Sequence, residues 1–493
     1  MKYPILSLLL FCVLFSCQSP TSNAPVVAAK VDIKRPEGSK ENEKSKMKEH
    51  KTKEAAVSKT LALGLFDKHC SSCHGSSIEE FVQGDWKYGH SWNEVFASIS
   101  TKHKVLPKAA SLKTLTKAQI SKITDHILYA IESTTIESFD VDAEWTGIIQ
   151  SEVQNFKLET LASEVGITWG FDFFPNGDLL VTDRNGSMYY QQVGGRKTKI
   201  QGLPKIKVVG QGGLLDVAIH PNFKNNQTIY FAYTKPNGLA ESTTSVVKAT
   251  LINTKLTNLQ EIMEALPYHG SRNHYGSRLE FDDKGYLFIT IGDRFRRDEN
   301  PQDLGRHAGK IHRLHADGRI PKDNPFVNQK GALASIWSYG HRNPQGLVYD
   351  ATTGKLWESE HAPRGGDEIN LIQPKLNYGW PIVSYGINYS GSVFTHLTQK
   401  EGMEQPAHYY VPSPALSGLA IVNSDLYPNW QGNLMAGSLR FQYLSRLTLK
   451  NDKVISEERL LENIGRVRAV EIDPNGYLCI GVETGHVYRL LPI

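Results

Sequence analysis

Cysteine is scarce, five in 493 residues, and its placement excludes a fold held by disulfides. Cys12 lies in an apolar leader, Cys17 sits in one motif and Cys70 with Cys73 in another, so Cys479 is left without a partner. A packed core must therefore stabilise the folded part. Charge of one sign is lacking too: 55 basic and 51 acidic residues leave +4, which gives no case for nucleic acid as a partner. Methionine is rare, and after position 75 it occurs only at 188, 263, 403 and 435. At this length one compact core is not enough, and two or three units are expected.

The first residues, MKYPILSLLLFCVLFSC, hold one Lys and an apolar run from Ile5 to Phe15. The run is too short for a permanent membrane span and fits an export signal. Leu14-Phe15-Ser16-Cys17 resembles a bacterial lipobox. That resemblance implies a signal over 1–17, cleavage before Cys17, and a lipid on Cys17 that anchors the exported protein to a bacterial membrane, with Gln18 favouring the outer membrane. A cleaved secretory peptide with a chance Cys is the competing reading. Residues 18–58 are rich in Lys, Glu, Ser and Pro with little to bury, which predicts a disordered tether. About forty such residues reach roughly 35 Å.

Residues 59–137 read as a small all-α unit. Leu61, Leu65 and Phe66 share a helical face just ahead of Cys70. Thr116-Lys117-Ala118-Gln119 is a capping-box pattern opening a helix with Ile120, Ile123, Ile127, Leu128 and Ile131 on one side. Between them Cys70-Ser71-Ser72-Cys73-His74 has the spacing that attaches haem c, with Cys70 and Cys73 on the vinyl groups and His74 as an iron ligand. The stretch resembles a class I c-type cytochrome. Those proteins place a Met-Pro pair before the last helix, whereas this chain has His103-Lys104-Val105-Leu106-Pro107. The sixth ligand is thus His103, Lys104, His90 or none, and a nitrogen ligand would lower the haem potential.

After a connector, 138–155, a pattern of apolar residues, a turn such as Pro-Asn-Gly, and a strand of alternating aliphatics recurs six times, from Gly170, Leu214, Arg278, Gly346, Gly418 and Val467. Six copies over 156–493 predict a six-bladed β-propeller, with a β-sandwich as the competing reading. The expected fold class is mainly β, a propeller preceded by a small all-α domain.

Polar residues cluster where blade strands begin. Arg466 and Arg468, two apart on a strand, point the same way and with Arg440 suit a small polycarboxylate. Asp367 and Glu368 beside Gly365-Gly366 suit a hard cation. The motifs GQGGLLDVAIHPNF, NHYGSRLEFDDKGYLFITIGD, WSYGHRNPQG, SEHAPRGGDEINLI, NYGWP and GINYSG, in this order, resemble the soluble PQQ-dependent glucose/sorbosone dehydrogenases, six-bladed propellers carrying PQQ and Ca²⁺. The resemblance implies His274 as the base for the sugar C1 hydroxyl, with Arg342 polarising the PQQ C5 carbonyl. It also implies Gln211, Asn343, Tyr389, Arg440, Arg466 and Arg468 around PQQ. Main-chain oxygens of Ala362 and Pro363 would take the cofactor Ca²⁺, and Glu368 and Tyr378 a further one. Arg440 stands where relatives commonly have Lys, and a forked cation is not a point charge.

The combined expectation is a lipid-anchored quinoprotein that oxidises aldose sugars to lactones and passes electrons to its own haem, then to a downstream cytochrome or quinone. A non-catalytic propeller binding module and a haem-based sensor or carrier are the alternatives. The sequence does not select among sugars.

Overall fold

The computed structural model describes residues 64–66, 68–70, 92–102, 114–133 and 145–493. Cys17, the tether, Cys73, His74, His90, His103 and Lys104 lie outside the described residues.

Six four-stranded antiparallel sheets follow one another from residue 156 to the C-terminus. Their first strands are Thr168–Phe173, Leu214–Ile219, Leu279–Phe281, Pro344–Asp350, Leu416–Ile421 and Val467–Ile472. Each meets the next and the last meets the first, so they ring a common axis. This is the six-bladed propeller that the repeats predict, with the blades where the turn signals put them.

The ring closes through a pairing between the two ends of the propeller. Phe156–Ala162 lies antiparallel to His486–Pro492 and becomes the outer strand of the last blade. Closure removes an open sheet seam that would otherwise present unpaired backbone groups. Phe156 is fully buried there, edge-on to Trp430 at 5.7 Å. Its burial contributes about 1.5–3 kcal/mol.

The expected alternation of aliphatics does not hold for the second strand of several blades. Leu179–Asp183, Leu434–Ser438 and Leu478–Val482 are buried at every position. Each blade packs between two others, so both faces of its interior strand are covered and neither needs to be polar. Near the axis space is short: a Cβ at Gly170 would lie 2.2 Å from Asp216 Oδ1. Asp216 itself pairs with Arg278 at 2.7 Å, both almost wholly buried.

Ahead of the propeller, the helix Lys117–Ser133 opens on the predicted capping box. Thr116 N–H donates to Gln119 Oε1 at 2.9 Å, and Gln119 N–H donates back to Thr116 Oγ1 at 3.2 Å. Among the described residues no helix is long and apolar enough to cross a membrane.

Candidate active site

His274 occupies a left-handed backbone conformation, φ 54°, on the segment leading into the third blade. A residue with a β-carbon reaches that conformation only when its surroundings enforce it. Arg294 supplies much of the enforcement. Its buried guanidinium lies 3.5 Å over the Tyr275 ring and donates to the carbonyls of Ser271, at 2.8 Å, and Asn273. Gln211 Oε1 accepts the His274 backbone N–H at 2.7 Å.

The imidazole is buried, with Nδ1 2.6 Å from Asp293 Oδ1. Asp293 Oδ2 accepts Trp380 Nε1–H at 2.9 Å, so the carboxylate is fixed from both sides. Burial works to raise the Asp293 carboxyl, yet His274 and Arg342 hold it below the usual carboxylate value. An ionised Asp293 accepts a hydrogen bond from Nδ1–H and leaves Nε2 with its lone pair. Burial, reinforced by Arg342, pushes the His274 pKa below 6.5, against the opposing pull of Asp293. The result is a neutral, oriented imidazole.

Asp293 and Arg294 open a long loop that runs to Gly309. Lys310 Nζ, fully buried, ties this loop from below by donating to Asn300 O at 2.7 Å and Ala308 O at 2.8 Å. Burial brings its pKa down to about 7.

Arg342 joins the His274–Asp293 pair to the neighbouring loops. Its carbonyl accepts Asp293 N–H at 2.7 Å, and its Nη1 donates to His361 O at 2.7 Å and Ala362 O at 2.6 Å. Its Nη2 reaches Tyr389 Oη at 3.4 Å. Asn343 turns its Oδ1 to Gly276 N–H at 3.2 Å.

Two cavities share Pro363 and Tyr389 in their walls. One, about 320 Å³, is lined also by His274, Asp293, Arg342 and Trp380. The other, about 460 Å³, is lined by Arg440, Arg364, His361 and Ser413. Arginines at both ends suit a planar polyanion such as PQQ. His361 adds a buried Nε2 that has no hydrogen-bond partner among the described residues. The residues present therefore fit the cofactor.

Arg466 and Arg468 are not in these walls. Both turn to Glu483, which they hold at a pKa of about 2, and Arg468 also donates to Gln345 Oε1 at 2.9 Å. Their charge is thus already shared with a carboxylate.

Asp367 and Glu368 part company, because successive strand residues face opposite ways. Asp367 staples its own loop, accepting Ala362 N–H at 2.9 Å and Leu416 N–H at 3.0 Å. Glu368 joins Glu358 and Glu360 around Asn370, whose Nδ2 lies 3.1–3.4 Å from all three. His341, Glu358 and Glu360 bring ligand atoms within 4.8 Å of one another. Burial and mutual repulsion raise Glu358 and Glu368 well above the usual carboxylate range. Glu358 Oε1 and Asn370 Oδ1 are buried without a hydrogen-bond partner, a cradle of hard oxygens that fits Ca²⁺. Tyr378 stacks on His341 at 4.7 Å, its hydroxyl donating to Leu371 O at 2.6 Å. The Ala362 carbonyl, by contrast, is already taken by Arg342.

Sequence reasoning passes over Asp293, Arg294, Trp380, Glu358, Glu360 and Glu483. Asp293 closes the quoted ITIGD strand, and an acid at a strand end facing a base-bearing loop was the available signal. Glu483 carries no motif at all.

A profile described as Glucose / Sorbosone dehydrogenase matches residues 165–489. Aldose sugar dehydrogenase YliI of Escherichia coli (strain K12) is 40% identical over 344 residues, 68% of this chain and 92% of the relative. The apo-form crystal structure of the soluble aldose sugar dehydrogenase from Escherichia coli superposes with a TM-score of 0.65 at 37% identity, covering 69% of this chain and 99% of that one. The PQQ-bound aldose sugar dehydrogenase from Streptomyces coelicolor gives a TM-score of 0.58 at 26% identity, covering 69% and 98%.

Proposed function

The chain belongs to the glucose/sorbosone dehydrogenase family, and from that premise we propose how this PQQ-dependent aldose sugar dehydrogenase, an oxidoreductase acting on a CH–OH group, works and where its electrons go. The observation that carries the mechanism is the His274–Asp293 pair at 2.6 Å in the wall of a cavity shared with Arg342.

The sugar enters the smaller cavity with its C1 hydroxyl toward His274. Nε2 takes the hydroxyl proton, and Asp293 holds the imidazolium that forms. PQQ, when bound, would supply a C5 carbonyl able to accept a hydride, the chemistry by which an aldose loses two electrons and two protons and becomes a lactone. Arg342, fixed by two carbonyls, offers positive charge where negative charge develops, in a site already organised to receive it. Tyr389, Asn343 and Gln211 shape and hold the surrounding loops, and Arg440, in the wall of the larger cavity, would hold the cofactor carboxylates.

Calcium is assigned to the Glu358, Glu360, Glu368 and Asn370 cradle framed by Tyr378. Glu360 Oε2 accepts the backbone N–H of Arg342 at 2.6 Å, so an ion there would set the position of Arg342. A second ion on Ala362 and Pro363 would share the Ala362 carbonyl with Arg342.

The electron acceptor is haem c on Cys70 and Cys73, with His74 on the iron. The Cys-x-x-Cys-His spacing supports this. Residues 59–137 form the haem domain, 156–493 the dehydrogenase, and Cys17 anchors both at a membrane after export. The test loads the protein with PQQ and Ca²⁺ and supplies a panel of aldoses with a small diffusible acceptor. Turnover that is lost in His274→Ala with PQQ still bound supports the assignment; no turnover with any aldose overturns it.

A further inference from the structure

A small helical unit buries too little apolar surface to be strongly stable by itself. Here its core is completed by the propeller. Leu65, Phe66, Val95, Ile99, Leu115, Ile120, Ile123 and Ile127 form one buried cluster with Ile387 and Val411 of the propeller. Cys70, Val393 and Tyr409 pack against that same cluster. A polar clasp accompanies the apolar contact: Tyr409 Oη donates to Glu94 Oε2 at 3.0 Å. Tyr385 stacks on the Tyr409 ring with centroids 3.7 Å apart and planes 8° apart, holding it in place.

The other side of this contact is the cofactor cavity. Ile387 and Arg364 exchange backbone hydrogen bonds of 2.9 and 3.1 Å. Arg364 lines the larger cavity and Tyr389 lines both. Only Asn388 separates Ile387 from Tyr389, a span of at most about 7 Å. Residues 385–393 therefore face the cavity at Tyr389 and the Cys70-bearing cluster at Ile387.

We propose that residues 385–393, clasped through Tyr409 and Glu94, are the internal docking face that seats the haem-bearing helical unit beside the cofactor cavity and so sets the rate of electron transfer between them. This rests on the reading of Cys70 as a haem attachment. Each sugar yields two electrons and two protons; ferric iron takes the electrons singly, becoming ferrous each time and returning to ferric by reducing an external one-electron acceptor, while the protons pass to solvent. Tyr409 and Glu94 are positioning residues in this scheme, since neither touches the reacting atoms.

The experiment uses the full chain carrying haem. Tyr409→Glu sets two carboxylates against each other, and the double variant with Glu94→Lys restores an attractive pair. The single variant is expected to slow haem reduction by sugar at least tenfold and to speed amide exchange at Ile387, measured without PQQ. Sugar oxidation with a small diffusible acceptor stays at the parental rate, and the double variant recovers both readouts. Glu94→Ala, on the helical side, is the second variant and is expected to move both readouts in the same direction. Unchanged exchange and unchanged haem reduction in both single variants would overturn the proposal. Absence of haem from the parental protein would instead sink the reading it rests on, and the exchange measurement would still decide the contact.

Discussion

Asp293 Oδ1 lies 2.6 Å from His274 Nδ1, and this bond decides which nitrogen of the imidazole can act as a base. An amide in place of the carboxylate cannot hold the charged ring. Asp293→Asn is expected to lower kcat/KM by about a hundredfold, and His274→Ala by roughly 10²–10⁴-fold. Steady-state kinetics at saturating PQQ checks both.

The pH profile carries a sign. Burial and the Arg342 charge favour the neutral form of His274 and put its pKa below 6.5. The base is therefore lost only as pH falls through that lowered value. The acid limb of kcat/KM should have its midpoint below 6.5, and Arg342→Gln should move it upward while reducing the rate.

The carboxylate cradle predicts a metal-linked stability. Glu358 and Glu368 are buried side by side with Asn370, which a cation would relieve. Chelation should lower Tm and added Ca²⁺ restore it, the stabilisation being about 2.7 kcal/mol at a hundredfold excess over Kd. Glu358→Ala should abolish the difference between the two scans.

Arg278 tests the axis. Its guanidinium meets Asp216 at 2.7 Å, donates to Gln345 O at 2.9 Å, and lies 4.6 Å over Trp169. Burial alone pushes the Asp216 carboxyl up, so its charge depends on this partner. Arg278→Met leaves that acid without its partner and should cost about 3–5 kcal/mol in urea unfolding.

The blades were legible because each begins with a local signal: Pro-Asn-Gly at 175–177 and Asp-Lys-Gly at 283–285 mark turns whatever lies elsewhere. The pairing of Phe156–Ala162 with His486–Pro492 was not, since strands joined across more than 300 residues leave no mark in either segment. At the site, the motif resemblance picked out His274 and Arg342, which the structure sets in one cavity wall. It did not pick out Glu358 and Glu360, which read as ordinary strand acids until the fold brings His341 and Glu368 beside them. Arg466 and Arg468 were legible as a same-face pair, but Glu483, which takes up their charge, follows the next strand of the blade.

The most direct test of the account is anaerobic addition of an aldose to the PQQ- and Ca²⁺-loaded full chain while the haem absorbance is followed. Electrons that pass within one chain should turn ferric haem ferrous with a first-order rate that does not change as protein concentration is varied. A haem that stays ferric while the sugar is oxidised, or a rate that rises in proportion to protein concentration, would contradict it.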